Sequence, residues 1–545
     1  MADLDAMAGS SAHTDTFAAD NLPPVSDWPE LTFTRPEFHY ADRVNCGAAL
    51  LDDMVTQGHG DSVVIRSPDL VWTYADLLAK ANRIAHVLTA DMGLVPGNRV
   101  LLHAPNTPML AACWFAVIKA GGIVVTTMPL LRAHELCPII DKAEISHALC
   151  DHRLAAEMTA AREASQHLQH LAWFGSGGDL ETRMATQPDT FNNCDTSATD
   201  TALIAFTSGT TGGPKGTMHF HRDVLAICDG FPRSTLKPRP EDLFCGSPPL
   251  GFTFGLGGLL LFPMRFGAST LLLEKASPDV LLDAIAEYGV SVVFTAPTAY
   301  RAILEKLDSH DISSLRRCVS AGEPLPEPVF SAWHEATGIQ IIDGIGATEM
   351  LHIFISAADD NIRPGSTGRP LPGYTACVVD DAGQPLPPGT TGRLAVKGPT
   401  GCRYLADPRQ ATYVQNAWNI TGDAYRMDED GYFWFIARTD DIILSAGYNI
   451  SGPEVEAALL SHPAVAECAV IGIPDAERGH IVKAFIVLRQ GEAAGDEQTL
   501  ALQTFVKQRI APYKYPRAIN YVETLPKTAT GKVQRFRLRE TKGAD

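Results

Sequence analysis

The chain has 545 residues, of which 45% are hydrophobic and 20% are charged, and its formal net charge is −19. This length exceeds one ordinary hydrophobic core, so two or more domains of a soluble globular protein are predicted. The negative charge argues against nucleic-acid or anionic-membrane partners bound through bulk charge, so local cations must hold any polyanionic ligand.

The eleven cysteines are scattered without a CxxC pair, and the sequence opens without a basic and then apolar signal segment. No run approaches the ~18 consecutive apolar residues that a membrane helix needs. These features predict reduced thiols, a cytoplasmic location and no membrane contact. The oligomeric state, monomer or homodimer, stays open.

The N-terminal part begins with a segment of low complexity. Residues 1–30 are rich in Ala, Asp, Ser and Pro, which predicts a mobile tail. Beyond it, apolar strands alternate with helices, as in the strand at 100–102, the helix at 111–118 and the strand at 122–125. This alternation is typical of a layered α/β fold.

The same alternation continues further along the chain. Ser277 and Pro278 predict the start of a helix, and Gly289 predicts its end. The apolar run at 290–294 then predicts the next strand. Turn-forming residues at 380–383 indicate a short hairpin.

The pattern changes near Asp440, which predicts a domain boundary between residues 31–439 and residues 440–545. The first helix of the C-terminal unit is predicted by Ser451 and Glu454, the spacing of a capping box, and ends before Pro463. A small α+β module follows, with its elements predicted at 468–471, 485–488, 500–510 and 519–522.

Residues 207–216 read TSGTTGGPKG. The glycines allow backbone N–H groups to converge on an anion, the hydroxyls add donors and Lys215 adds a positive charge. A strand at 203–206 and helical spacing at 224–231 predict a strand, turn and helix around a phosphate site. The loop departs from the Walker pattern, because Pro precedes the lysine and Gly follows it. The alternative is a solvated turn.

A second polar segment, DGIGATE at 343–349, follows a predicted strand at 339–342. Strand ends display ligand-facing side chains. Glu349 is a candidate ligand of Mg²⁺, which commonly bridges one or two carboxylates and nucleotide oxygens, and Thr348 a candidate phosphate contact. Seen alone, a carboxylate beside a turn is more often a helix cap or a surface charge than a metal ligand. The phosphate loop favours the metal role.

Further segments offer groups suited to a nucleotide. Asp423 can accept hydrogen bonds from both ribose hydroxyls, and Arg438 offers fixed donors to the sugar or a phosphate. The turn at 320–323 can bring backbone to the adenine. Lys532 follows a Gly turn near the C-terminus, where it is either a mobile charge entering the active site or part of a solvated basic segment.

In this order, the segments resemble the motif set of adenylate-forming enzymes, the superfamily of acyl-CoA synthetases, luciferases and peptide-synthetase adenylation domains. The resemblance spans about residues 40–540. It implies an α/β with α+β fold, with a large N-terminal domain of two sheet-and-helix subdomains plus a distorted β-barrel, and a small mobile C-terminal α+β lid that turns about Asp440. It also implies that Mg-ATP activates a carboxylate to an acyl-adenylate, which CoA then converts to a thioester after the lid rotates.

The resemblance assigns roles by motif. It implies three catalytic residues, Lys215, Glu349 and Lys532, of which Glu349 holds the metal and Lys532 acts in the first half-reaction only. The nucleotide-binding residues that it implies are Thr207, Ser208, Gly209, Thr210, Thr211, Gly212, Gly322, Glu323, Asp343, Gly344, Thr348, Asp423 and Arg438. The hinge and CoA tunnel would be formed by Asp440, Ser445, Ala446 and Gly447. Leu444 stands where many members have Lys.

Finer matches at 343–354 and 254–257 resemble the benzoate-CoA and 2-aminobenzoate-CoA ligase group, and those at 401–404 and 446–450 look closest to its 2-aminobenzoate members. The resemblance implies a short aryl pocket for benzoate or 2-aminobenzoate. Its substrate residues would be Thr253, Phe254, Ile345 and His352. Ile345 stands where the superfamily often has an aromatic residue, a departure that benzoate-activating relatives share.

Other functions compete with an aryl-CoA ligase. One is a stand-alone adenylation protein that loads a carrier domain, but residues 248–252 lack the Asp with which peptide-synthetase relatives hold an α-amino group. Another is a medium-chain acyl-CoA synthetase. A nucleotide-binding protein without turnover would have lost one of the motif residues, and none is missing. Luciferase-like oxidation is a further option within the fold.

Overall fold

The computed structural model describes residues 11–207, 213–438, 442–445, 448–475, 478–527 and 533–540, without the side chains of residues 444, 448, 449, 479 and 540. Within these ranges, no helix combines the length and apolarity that crossing a bilayer requires. The predicted site residues outside the described ranges are Ser208, Gly209, Thr210, Thr211, Gly212, Asp440, Ala446, Gly447 and Lys532.

The first part of the chain forms a hairpin and a six-stranded sheet. The strands are β1 (Val63–Ser67), β2 (Leu70–Thr73), β3 (Arg99–His103), β4 (Ile123–Thr127), β5 (His147–Asp151), β6 (His170–Phe174), β7 (Thr201–Thr207) and β8 (Lys215–Phe220). The sheet order is β6-β5-β3-β4-β7-β8, and only β7 and β8 are antiparallel. The helices are α1 (Phe17–Asp20), α2 (Tyr74–His86), α3 (Pro108–Lys119), α4 (Ala133–Lys142), α5 (Ala155–Ala164), α6 (Leu180–Met184) and α7 (His221–Asp229).

The next part forms a nine-stranded sheet together with the first hairpin. Its strands are β9 (Leu243–Gly246), β10 (Ser269–Leu271), β11 (Val292–Thr295), β12 (Arg317–Ala321), β13 (Ile341–Gly346), β14 (Ile353–Ser356) and β15 (Arg369–Pro370). The order is β15-β14-β13-β12-β11-β9-β10-β1-β2, with a parallel centre and antiparallel edges. The helices are α8 (Thr253–Leu256), α9 (Phe262–Arg265), α10 (Pro278–Tyr288), α11 (Pro297–Leu304) and α12 (Glu327–Thr337).

The remaining chain forms two smaller sheets. The half-barrel sheet, which is antiparallel, contains β16 (Thr375–Val379), β17 (Thr391–Lys397), β18 (Val414–Gln415), β19 (Trp418–Met427) and β20 (Phe433–Arg438), with the short helix α13 (Gln410–Tyr413) before β18. The smaller C-terminal domain contains β21 (Ile443–Ser445), β22 (Tyr448–Ile450), β23 (Val465–Asp475), β24 (Gly479–Leu488) and β25 (Ala518–Tyr521). Its helices are α14 (Gly452–Leu460), α15 (Asp496–Arg509) and α16 (Arg535–Glu540). The predicted fold class is therefore confirmed.

The main hydrophobic core lies between the two large sheets. Helix α3 packs on β3 and β4 of one sheet and on β1 of the other, and nearly all of its residues are buried. A helix between two layers is apolar on all sides, and α3 retains one charge, Lys119, whose Nζ lies 2.5 Å from Asp52 Oδ1. The C-terminal domain has a separate core around Ile450, Leu459 and Ile486.

Most predicted elements are confirmed, with longer bounds where strands pair along their full length. The Ser277 hydroxyl accepts from the Val280 N–H and starts α10, and Gly289, at φ 70°, ends it. At α14 the Ser451 hydroxyl accepts from the Glu454 N–H as expected. The predicted capping box is wrong in its other half, because the Glu454 carboxylate pairs instead with Lys514 Nζ at 2.6 Å.

The strand predicted at 203–206 and the helix predicted at 224–231 are confirmed as β7 and α7, but the prediction missed β8, the strand that lies between the phosphate loop and this helix. After β7 the chain returns as the antiparallel strand β8, and α7 begins only at His221. The physical reason is that β8 pairs on both sides: its Met218 N–H donates to the Arg403 carbonyl at 2.8 Å, and the Gly216 carbonyl accepts from Leu405 N–H at 2.8 Å. An extended segment thereby satisfies its backbone groups without becoming helical.

The structure also differs from the predicted tail over residues 11–30. Ser11 Oγ donates to Asp200 Oδ1 at 2.5 Å, and Asp15 pairs with the buried guanidinium of Arg99. Ala18 is buried in the core around α4 and β3. The segment packs on the body because Asp15 compensates a buried charge that otherwise costs several kcal/mol. Residues 1–10 lie outside the described ranges.

Candidate active site

The phosphate-loop hairpin ends beside a free hydroxyl. Thr207 is the last residue of β7 and pairs across the hairpin with Lys215, the first residue of β8. The Thr207 Oγ1 atom is buried and has no hydrogen-bond partner among the described residues. A buried hydroxyl without a partner is costly, so it is available to a ligand. The centre of the loop, residues 208–212, is outside the description.

Glu349 lies next to this hairpin. It stands in the single helical turn Thr348–Met350, which connects β13 to β14, and it is 8% exposed. Its Oε1 atom lies 3.8 Å from Lys215 Nζ. The structure thus brings together the loop lysine and the carboxylate that the sequence predicts as the metal ligand.

His219 on β8 fixes the turn that carries Glu349. The His219 Nε2–H donates to the Thr348 carbonyl at 2.8 Å, because a carbonyl can only accept. Burial lowers the pKa of His219 to about 4, so the ring is neutral at physiological pH. The carbonyl of Thr348 is therefore held by protein, which leaves its hydroxyl as the group for a phosphate.

Tyr404 completes the cluster, and the sequence did not predict its part in it. Its hydroxyl donates to Glu349 Oε1 at 2.5 Å and accepts from Lys215 Nζ at 3.3 Å. The tyrosine stands in an apolar segment far along the chain from both partners. No local pattern there indicates the contact, which arises from the pairing of this segment with β8.

The predicted adenine residues lie at the carboxyl ends of two parallel strands. Ser320 on β12 pairs with Asp343 on β13, and Gly322 then turns the chain at φ 89°, with Glu323 half-buried behind it. Gly344 follows Asp343 in β13. Burial raises the pKa of Asp343 to about 8, so its carboxyl group is mostly protonated at neutral pH and offers a donor as well as an acceptor.

The predicted ribose pair lies on the half-barrel sheet. Asp423 on β19 faces Arg438 on β20, and Arg438 Nη1 donates to Asp423 Oδ1 at 2.9 Å. Burial, and then the negative charge of Asp423, hold the pKa of the neighbouring Tyr425 above its usual range.

The four predicted substrate residues fall in one region. Thr253 and Phe254 begin α8, Ile345 is in β13, and His352 lies just before β14. The Phe254 and His352 rings are 5.8 Å apart between centroids, and Phe254 and Ile345 pack against the same core cluster. The loop before α8 is held by Asn106, whose Oδ1 accepts from Leu250 N–H at 2.8 Å.

His352 is enclosed by aromatic rings. The centroids of Phe262, Phe254 and Phe231 lie 4.5, 5.8 and 6.0 Å from its own. Burial lowers the pKa of His352 to about 3, so the imidazole is neutral. Nε2 contacts the Phe254 carbonyl at 3.4 Å, and the buried Nδ1 has no partner among the described residues. Nδ1 is thus an unused acceptor.

The donor set around Glu349 suits a metal that arrives with a nucleotide. Among the described residues, no group of three or more His, Cys, Asp or Glu side chains can hold a metal ion. Mg²⁺ commonly binds through one or two carboxylates, with waters and substrate phosphates as its remaining ligands. Since no described donor contacts Oε2 of Glu349, one carboxylate oxygen fits that role.

The tunnel and hinge residues are only partly described. Ser445 is a buried residue of β21 that pairs with Gly479, and its hydroxyl has no hydrogen-bond partner among the described residues. The structure therefore places Ser445 in the sheet of the C-terminal domain, without a hydrogen bond to the Glu349 cluster.

Comparison with known proteins identifies the family of this chain. Residues 52–404 match the AMP-binding enzyme family, and residues 454–532 match the AMP-binding enzyme C-terminal domain. The chain belongs to the AMP-binding enzyme family. It is an enzyme of the AMP-forming acid–thiol ligase class, with ATP, CoA and a carboxylate as substrates. The resemblance drawn from the sequence motifs is confirmed.

Individual relatives in this family share nearly the whole chain. Benzoate–CoA ligase of Thauera aromatica is 33% identical over 514 residues, covering 93% of this chain and 98% of its own. The mitochondrial acyl-coenzyme A synthetase ACSM3 of Mus musculus is 34% identical over 493 residues, covering 87% and 84%. The crystal structure of the anthranilate CoA ligase AuaEII with anthranoyl-AMP has a TM-score of 0.88 at 34% identity, covering 93% of this chain and 98% of the other.

Proposed function

We propose that this enzyme is an ATP-dependent aryl-CoA ligase whose substrate is 2-aminobenzoate or benzoate. The observation that carries the proposal is the neutral, buried His352, enclosed by aromatic rings next to Phe254 and Ile345. Such an enclosure suits a flat ring, because ring faces and edges pack against one another. An anthranilate-CoA ligase and a benzoate-CoA ligase among the relatives support the same substrate class.

The shape of the enclosure favours an aryl acid over a medium-chain fatty acid. A Cβ on Gly257 would lie 2.4 Å from His352 Cδ2, and one on Gly258 would lie 2.5 Å from Phe294 Cδ1. The two rings therefore lie directly against this backbone. Phe254 and Ile345 are only half-buried, so a flat aryl ring would pack against their exposed faces.

The reaction proceeds in two displacements. A carboxylate oxygen of the acid attacks the α-phosphorus of ATP, and the bond to the β,γ-pyrophosphate breaks. The CoA sulfur then attacks the carbonyl carbon of the aryl-adenylate, the thioester forms, and AMP leaves. Bound Mg²⁺ would neutralise charge on the phosphate oxygens.

The described residues divide the work of binding. Lys215 and Thr207 would hold the β and γ phosphates, Glu349 the metal, and Asp423 with Arg438 the ribose. The Asp343 carboxyl group and the turn at Gly322 would receive the adenine. Ser208, Gly209, Thr210, Thr211 and Gly212 would complete the phosphate loop.

The domain organisation proposed for this mechanism has residues 31–439 as the adenylation domain and residues 440–545 as a lid. Asp440 would be its hinge. Lys532 would enter the site for the first displacement, and Ser445, Ala446 and Gly447 would line the CoA tunnel in the second. The cytoplasm, where ATP and CoA are available, is the proposed location.

The test is a panel of acids in an ATP–pyrophosphate exchange assay. We expect exchange with 2-aminobenzoate and benzoate, weaker exchange with 4-hydroxybenzoate and very little with hexanoate. A neutral His352 whose Nε2–H faces a carbonyl presents Nδ1 as an acceptor, and a ring amino group is a donor. Since one hydrogen bond contributes about 1 kcal/mol, 2-aminobenzoate should exceed benzoate in kcat/KM by about 5-fold. Absence of exchange with every benzoate would overturn the aryl assignment.

A substitution of His352 tests the acceptor directly. His352→Leu should raise the KM for 2-aminobenzoate by about 5-fold and remove its advantage over benzoate, because the acceptor is lost. With the wild-type enzyme, His352 should add no inflection near pH 6.5 to kcat/KM, since its pKa is already near 3 and the ring stays neutral from pH 5.5 to 8.

The matched control is His59→Leu, which changes an exposed histidine. It should leave both substrates unaffected. If His352→Leu lowered kcat/KM for benzoate and 2-aminobenzoate equally, the acceptor role of Nδ1 would be wrong.

A further inference from the structure

The contact between Tyr404, Glu349 and Lys215 is a chain of hydrogen bonds through a single hydroxyl group. Lys215 Nζ donates to the Tyr404 oxygen at 3.3 Å, and the Tyr404 O–H donates to Glu349 Oε1 at 2.5 Å. The lysine also lies over the tyrosine ring, 5.3 Å from its centroid. The hydroxyl therefore bridges the loop cation and the carboxylate by hydrogen bonds to both.

We propose that Tyr404 is a positioning residue for metal–nucleotide binding, which orients Glu349 and keeps Lys215 in a long ion pair with it, at 3.8 Å and without a direct hydrogen bond. This inference rests on the proposed function, in which Glu349 receives Mg²⁺ and Lys215 receives phosphate. Tyr404 acts through these two residues and has no contact of its own with the reacting atoms.

The backbone around Tyr404 is fixed well enough for this task. Residues 403–405 pair with β8, with the Met218 N–H donating to the Arg403 carbonyl and the Leu405 N–H donating to the Gly216 carbonyl, both at 2.8 Å. The Tyr404 N–H donates to Gln410 Oε1 at 2.9 Å. Since β8 begins with Lys215, the same strand positions both the lysine and the tyrosine.

A buried ion pair next to Tyr404 stabilises the segment of residues 403–405. Arg403 and Asp223 pair with both side chains fully buried, and the Arg403 guanidinium stacks on Phe220 at 3.9 Å from the ring centroid. Breaking such a pair costs about 3–5 kcal/mol. The segment is therefore a rigid support, as a group that orients a metal ligand must be.

The Tyr404 hydroxyl gives the two carboxylate oxygens of Glu349 different roles. Oε1 accepts from Tyr404, while no described residue donates to Oε2, so Oε2 can meet a metal. The Tyr404 O–H is the donor of this hydrogen bond, and a hydroxyl that donates is uncharged. It orients the carboxylate without adding a positive charge that would compete with a cation.

Removal of the hydroxyl would alter both partners. Lys215 Nζ is already 3.8 Å from Glu349 Oε1, so without the shared hydroxyl the lysine would close into a hydrogen-bonded ion pair with the carboxylate. That pair would neutralise the carboxylate that the metal needs and draw the lysine away from the phosphates. Mutation of a group that hydrogen-bonds to a metal ligand typically lowers metal affinity or activity by about 10–100-fold.

The experiment measures binding of Mn²⁺ with a non-hydrolysable ATP analogue by electron paramagnetic resonance. Tyr404→Phe keeps the ring under Lys215 and should raise the dissociation constant of the Mn²⁺–nucleotide by about 10-fold. The matched control is Tyr413→Phe: Tyr413 packs edge-on against Tyr404 at 5.8 Å, and its hydroxyl has no partner among the described residues. It should bind the metal as the wild type does.

Kinetics and a double-mutant cycle separate positioning from a general loss of structure. Tyr404→Phe should raise the KM for Mg-ATP about 10-fold with a smaller change in kcat, and its effect should disappear in a Glu349→Gln background, because the two residues act as one unit. Additive effects, or equal metal affinity in Tyr404→Phe and wild type, would overturn the inference. Failure of the wild type itself to bind the Mn²⁺–nucleotide would instead overturn the proposed function.

Discussion

Glu349→Gln is expected to reduce aryl-acid-dependent ATP–pyrophosphate exchange by at least about 100-fold, at or above the upper end of the range for outer-shell changes. The substitution removes one negative charge at the place where Mg²⁺ would bind, 3.8 Å from Lys215. The amide oxygen of Gln can still accept from Tyr404, so the local fold should persist. The loss should therefore appear as weakened metal–nucleotide binding and not as unfolding.

The control for this substitution is Glu335→Gln on α12, where the carboxylate is exposed. It should retain wild-type exchange. Thioester formation from supplied aryl-AMP and CoA should also survive in Glu349→Gln, because that step releases no pyrophosphate. Exchange near the wild-type rate in Glu349→Gln would exclude Glu349 as the metal ligand.

The sequence predicted the elements of the fold well because its helix and strand signals are local. Ser277 and Gly289 cap α10 as expected, and Ser451 caps α14. The error at β8 arose because residues 215–220 are extended through pairing with β7 on one side and with residues 403–405 on the other, and local periodicity does not show the second partner. The packing of residues 11–30 has the same origin, since Asp15 finds its partner Arg99 across space.

The candidate site likewise contains residues that local sequence motifs indicate and residues whose role depends on contacts between distant segments. Lys215 and Glu349 stand in motifs whose order along the chain is recognisable, and the structure brings them together. Tyr404 and His219 carry no such motif, and their contacts to Glu349 and Thr348 exist only because β8 lies between distant segments. The site residues that lie in recognisable motifs could therefore be predicted from the sequence. The side chains that hold them in place, Tyr404 and His219, could not.

The described residues on either side of Lys532 are fixed to the C-terminal domain. Lys527 and Val533 form an antiparallel bridge, and Gln534 N–H donates to the Pro526 carbonyl at 2.8 Å. Lys527 Nζ pairs with Glu467 Oε2 at 2.6 Å. Residue 532 itself is outside the described ranges, but its neighbours move with this domain. A rotation of the lid would therefore carry Lys532 into or out of the active site.

Lys532→Ala is expected to lower adenylate formation by about 100-fold or more, because its ammonium would balance the charge that develops as the carboxylate attacks the α-phosphate. Thioester formation from supplied aryl-AMP and CoA should change by less than about 2-fold, since that step would take place with the lid turned away. The two half-reactions are measured separately, by pyrophosphate exchange and by thioester absorbance. Lys507→Ala, which removes an exposed cation from α15 of the same domain, should affect neither. An equal loss of both half-reactions in Lys532→Ala would show that the lysine acts in a single lid position, and a lid that alternates between the two steps would then be wrong.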